Sequence, residues 1–276
     1  MIAYVKATPF LRWAGGKSKI LSLLAPLAPP KSEYTRYVEP FLGSGALFFH
    51  FRPEHALLAD ANPHLINCYR QVAKRPLDVW LLLKTHRRHH SRDYYLSVRE
   101  LGLQEGSPIE RAARFIYLNK SAFNGIYRVS MAGKFNVPFG PSPSGLAIPS
   151  KQRLLAASAA LRRAILHAAS FEITCELARK GDFVYLDPPY PPLGSSANFT
   201  HYTSDRFGPR DQERVATAFK SLDRKGCLVM LSNSDQRQIR ALYRGYRITS
   251  LEVTRWLGSN GKRFQVDEIV VTNYRP

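Results

Sequence analysis

The feature that most constrains this chain is an unbroken series of strand, glycine turn, helix and second strand near its start. Residues 37–41 are predicted as a short strand that leads into Leu42-Gly43-Ser44-Gly45. Residues 46–51 have helical character, and residues 56–59 form a short apolar strand that ends at Asp60. Glycines at such a turn let the backbone approach a ligand closely. This series is typical of the opening of a doubly wound α/β sheet.

The later sequence supplies the remaining strands. Residues 183–186 and 228–231 are fully apolar, as expected of buried parallel strands. The sheet pattern is expected to resume near Phe171. Residues 248–253 and 266–273 are predicted as the last strands, as an antiparallel pair.

An inserted segment is predicted between the two parts of the sheet. The fold class is therefore α/β, a Rossmann-like sheet formed by residues 1–60 and 150–276, with a mainly helical insert at residues 61–149. Within the insert, residues 127–137 alternate in polarity around Met131-Ala132-Gly133, which suggests a β-hairpin.

Net charge points to an anionic partner. The chain has 40 Lys and Arg against 21 Asp and Glu, a net charge of +19. The insert alone holds 13 basic and 5 acidic residues, or +8. Such an excess favours nucleic acid over an anionic membrane or an acidic protein.

Several other classes are disfavoured. The three cysteines lie far apart, so neither a zinc knuckle nor a disulfide framework is indicated. His86 and His90 have helical spacing, but Arg87 stands where a metalloprotease helix carries Glu, so no metal is expected. Apolar stretches are shorter than the ~20 residues that span a bilayer, and no signal peptide is recognised. A cytoplasmic, DNA-associated protein is expected, and a monomer, because no dimerisation stripe is seen.

Asp187-Pro188-Pro189-Tyr190 is the most informative tetrapeptide. It follows an apolar strand, so it is predicted at the carboxyl edge of the sheet, where α/β proteins bind ligands. Two prolines stiffen the backbone and remove N–H donors. The carbonyls and the Asp187 carboxylate then form an acceptor cluster suited to an exocyclic amino group. Tyr190 offers a flat face to a planar base.

A nucleoside cofactor is predicted at the glycine turn. Gly43 and Gly45 lie close before Asp60, which could accept hydrogen bonds from ribose hydroxyls. No third fingerprint glycine follows, so S-adenosylmethionine fits as well as NAD. Gly16-Lys17-Ser18 resembles the end of a P-loop, but Leu11 stands where that motif needs its first glycine, so ATP binding is not expected.

Taken in order, these motifs resemble the Dam-like family of DNA adenine-N6 methyltransferases across nearly the whole chain. The matching segments are Phe10-Leu11-Arg12-Trp13-Ala14-Gly15-Gly16-Lys17, Glu39-Pro40-Phe41-Leu42-Gly43-Ser44-Gly45, Leu118-Asn119-Lys120, Phe123-Asn124-Gly125-Ile126-Tyr127-Arg128, Gly133-Lys134-Phe135-Asn136-Val137-Pro138-Phe139-Gly140, Asp187-Pro188-Pro189-Tyr190, Ala197-Asn198-Phe199-Thr200 and Ser259-Asn260-Gly261.

The resemblance implies methyl transfer from S-adenosyl-L-methionine to N6 of an adenine flipped out of double-stranded DNA, within GATC. The implied cofactor residues are Trp13, Lys17, Phe41, Gly43, Gly45, Asp60, Ser170, Phe171 and Asp187. The implied catalytic residues are Asp187, Pro188, Pro189 and Tyr190.

The chemistry implied is direct in-line transfer without a covalent intermediate. Hydrogen bonds from N6–H to Asp187 and the Pro188 carbonyl favour a more nucleophilic nitrogen. Positioning and electrostatics supply most of the help. Tyr190 would stack on the extruded base and offset part of a flipping cost of about a few kcal/mol.

Target recognition falls to the insert by the same resemblance. The implied DNA-binding residues are Arg12, Asn119, Phe123, Asn124, Ile126, Arg128 and Pro138. Arg12 and Arg128 are assigned to guanines, Phe123 to the gap left by the flipped base, and Asn124 to the neighbourhood of its orphaned partner. Ile126 and Pro138 are assigned to apolar contacts near the outer base pair. Phe123 could instead be a core aromatic, and Arg128 a phosphate contact.

Two departures from the family pattern bear on specificity: Ser142 replaces an aromatic, and Phe123 replaces a common Tyr. Three alternatives therefore stay open. The recognition sequence could differ from GATC, the substrate could be an RNA adenine, or the chain could bind DNA without catalysis. Residues 191–207 are predicted as a loop near the flipped base.

Overall fold

The computed structural model describes residues 5–130, 134–141, 145–191, 207–257 and 262–276, without the side chains of residues 254–257 and 262–266. Several sequence features lie outside these residues. They are the hairpin tip at residues 131–133, Ser142, the Ala197-Asn198-Phe199-Thr200 segment with most of the 191–207 loop, and Ser259-Asn260-Gly261.

Seven strands form one mixed sheet. The strands are β1 (Arg36–Glu39), β2 (Ala56–Asp60), β3 (Ala164–Ala168), β4 (Asp182–Leu186), β5 (Leu228–Ser234), β6 (Arg247–Leu257) and β7 (Lys262–Thr272). Their order across the sheet is β3-β2-β1-β4-β5-β7-β6. Neighbouring strands from β3 to β5 are parallel, and β7 is antiparallel to both β5 and β6. The chain changes direction across the sheet between β1 and β4, so a ligand crevice is expected at their carboxyl ends.

Helices cover both faces of this sheet. They are α1 (Leu21–Leu24), α2 (Ala46–Phe51), α3 (Pro63–Lys74), α4 (Pro76–His89), α5 (Arg92–Glu100), α6 (Pro108–Ser121), α7 (Lys151–Leu161), α8 (Phe171–Glu176), α9 (Pro209–Arg224) and α10 (Arg237–Leu242). Local sequence explains where several begin. Asn62 accepts hydrogen bonds from the first turn of α3, and Ser107 with Glu110 forms a capping box on α6.

The buried apolar residues form two groups, one on each face of the sheet. The first includes Tyr37, Leu58 and Phe183 from the strands and continues into α3 to α7. Helix α7 packs on α3 and α4. The second group joins Val38 and Val184 to residues of α8, α9 and α10. Because both faces are covered, the central strands β4 and β5 contain the largely buried apolar runs at residues 183–186 and 228–231 that the sequence indicated.

The sequence prediction of the sheet is largely confirmed, with one error. The glycine turn between β1 and α2 and the antiparallel pair β6 and β7 are present. The expectation that the sheet resumes near Phe171 is wrong. Phe171 opens α8, and the third strand lies earlier, at Ala164–Ala168. This edge strand is only half buried and includes His167, so it lacks the apolar run that marks a central strand.

The predicted hairpin is an irregular antiparallel pairing. Val129 and Phe135 form an isolated bridge, and the Ser130 N–H donates to the Lys134 carbonyl. Neither arm extends into a regular strand among the described residues.

Within the described part of the chain, none of the helices has the length and apolar character needed to cross a membrane. The three cysteines are buried and unpaired.

Candidate functional site

The predicted cofactor and catalytic residues converge at the carboxyl edge of the parallel strands. Glu39 ends β1, Asp60 ends β2, and Asp187 follows β4 directly. Strand β1 lies between β2 and β4, so three acidic side chains stand on neighbouring strand ends. This is the crevice expected where the strand order reverses.

The glycine turn is held against Asp60. Gly43 and Gly45 have φ of +47° and +66°, conformations that side chains other than glycine rarely adopt. The Gly43 N–H donates to the Asp60 carboxylate at 3.0 Å, and the Tyr69 hydroxyl donates to the Gly43 carbonyl at 3.0 Å. A Cβ added to Gly43 would stand 2.7 Å from the Trp13 ring, so the indole packs directly on the turn.

Lys17 and Asp187 form a buried ion pair at the centre of the site. The Lys17 Nζ lies 2.6 Å from the Asp187 carboxylate, and the two side chains are 5% and 16% exposed. Lys17 also donates to the Gly15 carbonyl at 2.7 Å. Lys17, which resembled the lysine of a P-loop in the sequence, therefore binds Asp187 instead of forming part of a phosphate-binding loop.

A hydroxyl pair fixes the Asp187 carboxylate from the other side. The Ser232 hydroxyl donates to Asp187 Oδ1 at 2.9 Å and is itself 2.7 Å from the Tyr185 hydroxyl. Burial raises the pKa of Asp187, and Lys17 and Ser232 oppose that rise while Glu268 adds to it. The carboxylate is thus held in one orientation by neighbours that favour its charged form.

The loop after Asp187 is anchored by buried polar side chains. Gln212 of α9 donates to the Pro189 carbonyl at 2.8 Å and accepts from Asn233 of β5 at 2.9 Å. The Tyr190 hydroxyl donates to Glu268 of β7 at 2.9 Å, and Lys17 Nζ lies 4.7 Å from the centre of the Tyr190 ring. No hydrogen bond to the Pro188 carbonyl occurs among the described residues.

Sequence reasoning missed several of these anchors, namely Glu39, Tyr185, Gln212, Ser232, Asn233 and Glu268. Glu39 is 3% exposed, accepts from the Tyr37 hydroxyl at 3.0 Å, and its pKa is raised well above the usual range by burial. An acidic residue ending an apolar strand was a signal that could have found it. Ser232 and Glu268 carried no such signal, because only strand pairing brings them beside Asp187 and Tyr190.

The charge of the crevice favours a cationic ligand. Lys17 pairs with Asp187 and lies near Glu39, while Asp60 stands at the end of the next strand. Burial raises the pKa of Asp60 to about 6, against hydrogen bonds from the Asn62 and Gly43 backbones that lower it. A bound cation would stabilise these carboxylates, whereas a diphosphate would be repelled by them.

An aromatic group lies beside this crevice. Phe41, just after β1, stacks on Phe171 with ring centres 5.1 Å apart, and Phe207 contacts both rings edge-on or tilted. Ser170 precedes α8, and the neighbouring Ala169 N–H donates to the Asp60 carbonyl at 3.2 Å. The structure therefore brings Phe41, Ser170 and Phe171 to the same edge as Asp60.

The predicted DNA-binding residues divide into an exposed group and one buried exception. Asn119 is 1% exposed, accepts from the Arg12 N–H at 2.8 Å and donates to the Arg12 and Gly125 carbonyls. This corrects the expectation of a direct DNA contact, because the whole amide is used inside the protein. Asn119 instead fixes the backbone of Arg12 beside the turn that precedes Ile126.

Arg12, Phe123 and Asn124 stand together on the surface. The Arg12 side chain crosses Gly125, where an added Cβ would lie 2.5 Å from Arg12 Cδ. Asn124 has a φ of +54°, which Asn tolerates better than most residues. Phe123 is 48% exposed, so the alternative of a core aromatic is wrong. These three residues form what we call the recognition face.

Arg128, Ile126 and Pro138 flank the recognition face. Arg128 is exposed, and its guanidinium donates to the Asn136 side chain at 2.8 Å and to the Asn136 carbonyl at 3.2 Å across the irregular pairing. Ile126 is half-buried and Pro138 exposed, and the Pro138 carbonyl accepts from the Phe123 N–H.

The sheet and its acidic crevice define the class of protein: the architecture is that of an S-adenosylmethionine-dependent methyltransferase fold. The profile of a family described as D12 class N6 adenine-specific DNA methyltransferase matches residues 13–257. The chain belongs to that family, and it is an adenine-specific DNA methyltransferase.

Curated relatives agree with this assignment. The chain is 40% identical to the type II methyltransferase M1.LlaDCHI of Lactococcus lactis subsp. cremoris, over 98% of this chain and 96% of that protein. It is 35% identical to the DNA adenine methylase of Vibrio cholerae, over 96% and 95% of the two chains. With the DNA adenine methylase of Escherichia coli K12 the identity is 32%, over 98% and 96%.

The contact between Gly43 and Trp13 predicts that replacing Gly43 with alanine strongly destabilises the fold. Gly43→Ala should lower the free energy of unfolding by about 2–5 kcal/mol, the sum of a positive-φ cost and overpacking against the indole. Gly245 also has a positive φ, of +91°, but an added Cβ would meet nothing within 4 Å. Gly245→Ala should therefore lose only about 1–2 kcal/mol. Urea unfolding of both variants measures the difference, and equal losses would mean that the close approach of Trp13 is unimportant.

Proposed function

We propose that the protein transfers the methyl group of S-adenosylmethionine to N6 of adenine in double-stranded DNA, within GATC, after flipping the base. The observation that carries this proposal is the Asp187 carboxylate, fixed between Lys17 and Ser232 beside a hydrogen-bonded Tyr190. A pocket of this kind suits a flat base that carries an amino group.

The crevice suits S-adenosylmethionine as the cofactor. Its ribose hydroxyls would donate hydrogen bonds to the Asp60 carboxylate, and its sulfonium and ammonium groups would be stabilised by the negative charge of the crevice. Its adenine matches the aromatic surroundings of Phe41 and Phe171. Trp13, Gly43, Gly45 and Ser170 would complete the contacts. The cofactor supplies a methyl group already activated on sulfur.

The catalytic residues would act by holding the adenine amino group. Asp187 and the Pro188 carbonyl accept hydrogen bonds from N6–H, which favours a more nucleophilic nitrogen. Gln212 fixes the Pro189 carbonyl, so the stiff loop does not rearrange when the base enters. Tyr190 offers one ring face to the base, while Lys17 lies 4.7 Å from the ring centre. Positioning of this kind supplies most of the rate enhancement in an in-line transfer.

Residues 61–149 are proposed to recognise the target, with residues 1–60 and 150–276 as the catalytic part. Arg12 and Arg128 would donate to guanines in the major groove, and the exposed Phe123 ring would fill the gap left by the flipped adenine. Asn124, Ile126 and Pro138 would contact the neighbouring bases. The relatives include both DNA adenine methylases and a type II methyltransferase, so the recognition sequence needs its own test.

Methyl incorporation from radiolabelled S-adenosylmethionine tests the proposal. One duplex contains a single GATC, and the other has its target adenine replaced. Label confined to the first duplex is the expected result. Asp187→Ala should abolish transfer and leave duplex binding largely intact, because the recognition face is unchanged. Glu54→Ala is a matched control, since Glu54 is an exposed acid that pairs with Arg163 and precedes β2, at the sheet edge opposite Asp187.

Other outcomes would redirect the proposal. Label on both duplexes would keep the chemistry but reject GATC specificity. Label on neither, from folded protein, would reject the duplex substrate and favour RNA or a non-catalytic role. Undiminished transfer by the Asp187→Ala protein would reject the role of that carboxylate.

The ion pair between Lys17 and Asp187 predicts that a substitution of Lys17 changes the pH dependence of methyl transfer. In Lys17→Met, burial and the Glu268 charge would raise the pKa of Asp187 further, because the opposing cation is gone. The carboxylate must be charged to accept N6–H, so the acid limb of the kcat profile should move to higher pH, with activity partly recovered in alkali. Lys19→Met, at an exposed neighbour, should leave the profile unchanged. Turnover is measured at saturating S-adenosylmethionine, and an equal loss at every pH would contradict this role.

The proposed contact between Arg128 and a guanine predicts that removing this side chain lowers the sequence specificity. Arg128→Ala should lose about 1–3 kcal/mol of discrimination at one guanine of the site, because a bidentate contact to O6 and N7 is removed. Kinetics on GATC and on duplexes with single substitutions measure the ratio. Lys134 is an exposed cation on the other arm of the irregular pairing, and Lys134→Ala should weaken the binding of all duplexes alike. A uniform loss with Arg128→Ala would instead indicate a phosphate contact.

A further inference from the structure

A second exposed basic surface lies where α4 meets α5. Arg87 and Arg88 are in the last turn of α4, and Arg92 is the first residue of α5; all three are exposed. No ion pair joins any of these arginines to a carboxylate among the described residues. One exposed acid, Asp93, lies beside them, so the group keeps a net charge of about +2. We call Arg87, Arg88 and Arg92 the α4–α5 basic surface.

Helix stability does not account for this surface. Cations at the carboxyl end of a helix interact favourably with its dipole, which could explain Arg87 and Arg88. Arg92 is at the opposite end of α5, where the dipole disfavours a cation. The positive charge thus continues across the junction into a position that costs stability.

The nearby histidines add little charge. His86 stacks on Tyr117 with ring centres 4.7 Å apart, and burial lowers its pKa to about 4. Burial also lowers the pKa of His90. The three arginines therefore supply most of the positive charge of this surface.

Contacts connect this surface to the recognition face. His90, between α4 and α5, lies 3.1 Å from the Tyr117 hydroxyl and 5.7 Å, ring to ring, from Phe139. Phe139 bridges to Ala122, and an added Cβ on the following glycine would lie 2.7 Å from the Phe123 backbone. The surface is therefore joined to the recognition face by a continuous path of contacts through His90 and Phe139.

We propose that the α4–α5 basic surface binds phosphates of duplex DNA that lie outside the target sequence. This inference rests on the proposed function, since it takes duplex DNA as the ligand, and extends the contact beyond the target sequence. The arginines would add affinity without reading bases.

Duplex length and salt test this surface. The variant Arg87→Gln/Arg88→Gln/Arg92→Gln keeps helix-forming side chains and removes three charges. On a GATC duplex of about 30 base pairs, the slope of log Kd against log salt should fall by about 1 for each lost phosphate contact. KM for this duplex should rise. On a duplex shortened to about ten base pairs, which lacks the outer phosphates, Kd and KM of this variant should equal those of the native protein.

A matched control separates a local contact from net charge. Arg162, Lys180 and Arg224 are exposed and precede β3, β4 and β5, at the sheet edge opposite Asp187. Their triple Gln variant has the same net charge and should retain the native slope on both duplexes. The proposal is overturned if the salt slope of both triple variants falls alike, or if neither slope changes. It is also overturned if the α4–α5 variant loses as much affinity for the short duplex as for the long one. A native protein that binds the long duplex but methylates neither would reject the proposed function alone.

Discussion

The ion pair between Lys17 and Asp187 is the contact on which the rest of the site depends. It joins residues 170 positions apart, with both side chains largely removed from water. Burying either charge alone would be strongly unfavourable, and a pair of this kind is stabilising only with good geometry and further hydrogen bonds. Ser232 and the Gly15 carbonyl supply those bonds. The pair therefore fixes the amino-terminal segment against the carboxyl edge of the sheet.

That segment connects three parts of the protein within six residues. Arg12 is fastened to Asn119 through its backbone, Trp13 packs on Gly43, and Lys17 reaches Asp187. The exposed recognition face, the glycine turn and the loop that begins at Asp187 consequently share one stretch of chain. A displacement of this segment would disturb all three, which explains why Gly43 and Gly125 leave no room for a Cβ.

The sequence determined the class of fold and most of the residues that meet at the carboxyl edge of the sheet. The order of the first sheet elements could be predicted from the apolar strands, the glycine turn and Asp60. Each of these is a pattern within a few consecutive residues. Asp187-Pro188-Pro189-Tyr190 was locally recognisable for the same reason. The third strand was misplaced because Ala164–Ala168 is a half-buried edge strand whose sequence carries no strong apolar signal.

Tertiary structure alone decided which partners hold those residues. Ser232, Gln212 and Glu268 lie on later elements, and only the pairing of β4 with β5, β5 with β7 and the packing of α9 bring them to the loop. It also turned Asn119 inward, because an amide can satisfy three backbone groups at once in a place where water is excluded. Local sequence encodes period and turn chemistry, whereas long-range hydrogen bonds and burial depend on the completed sheet.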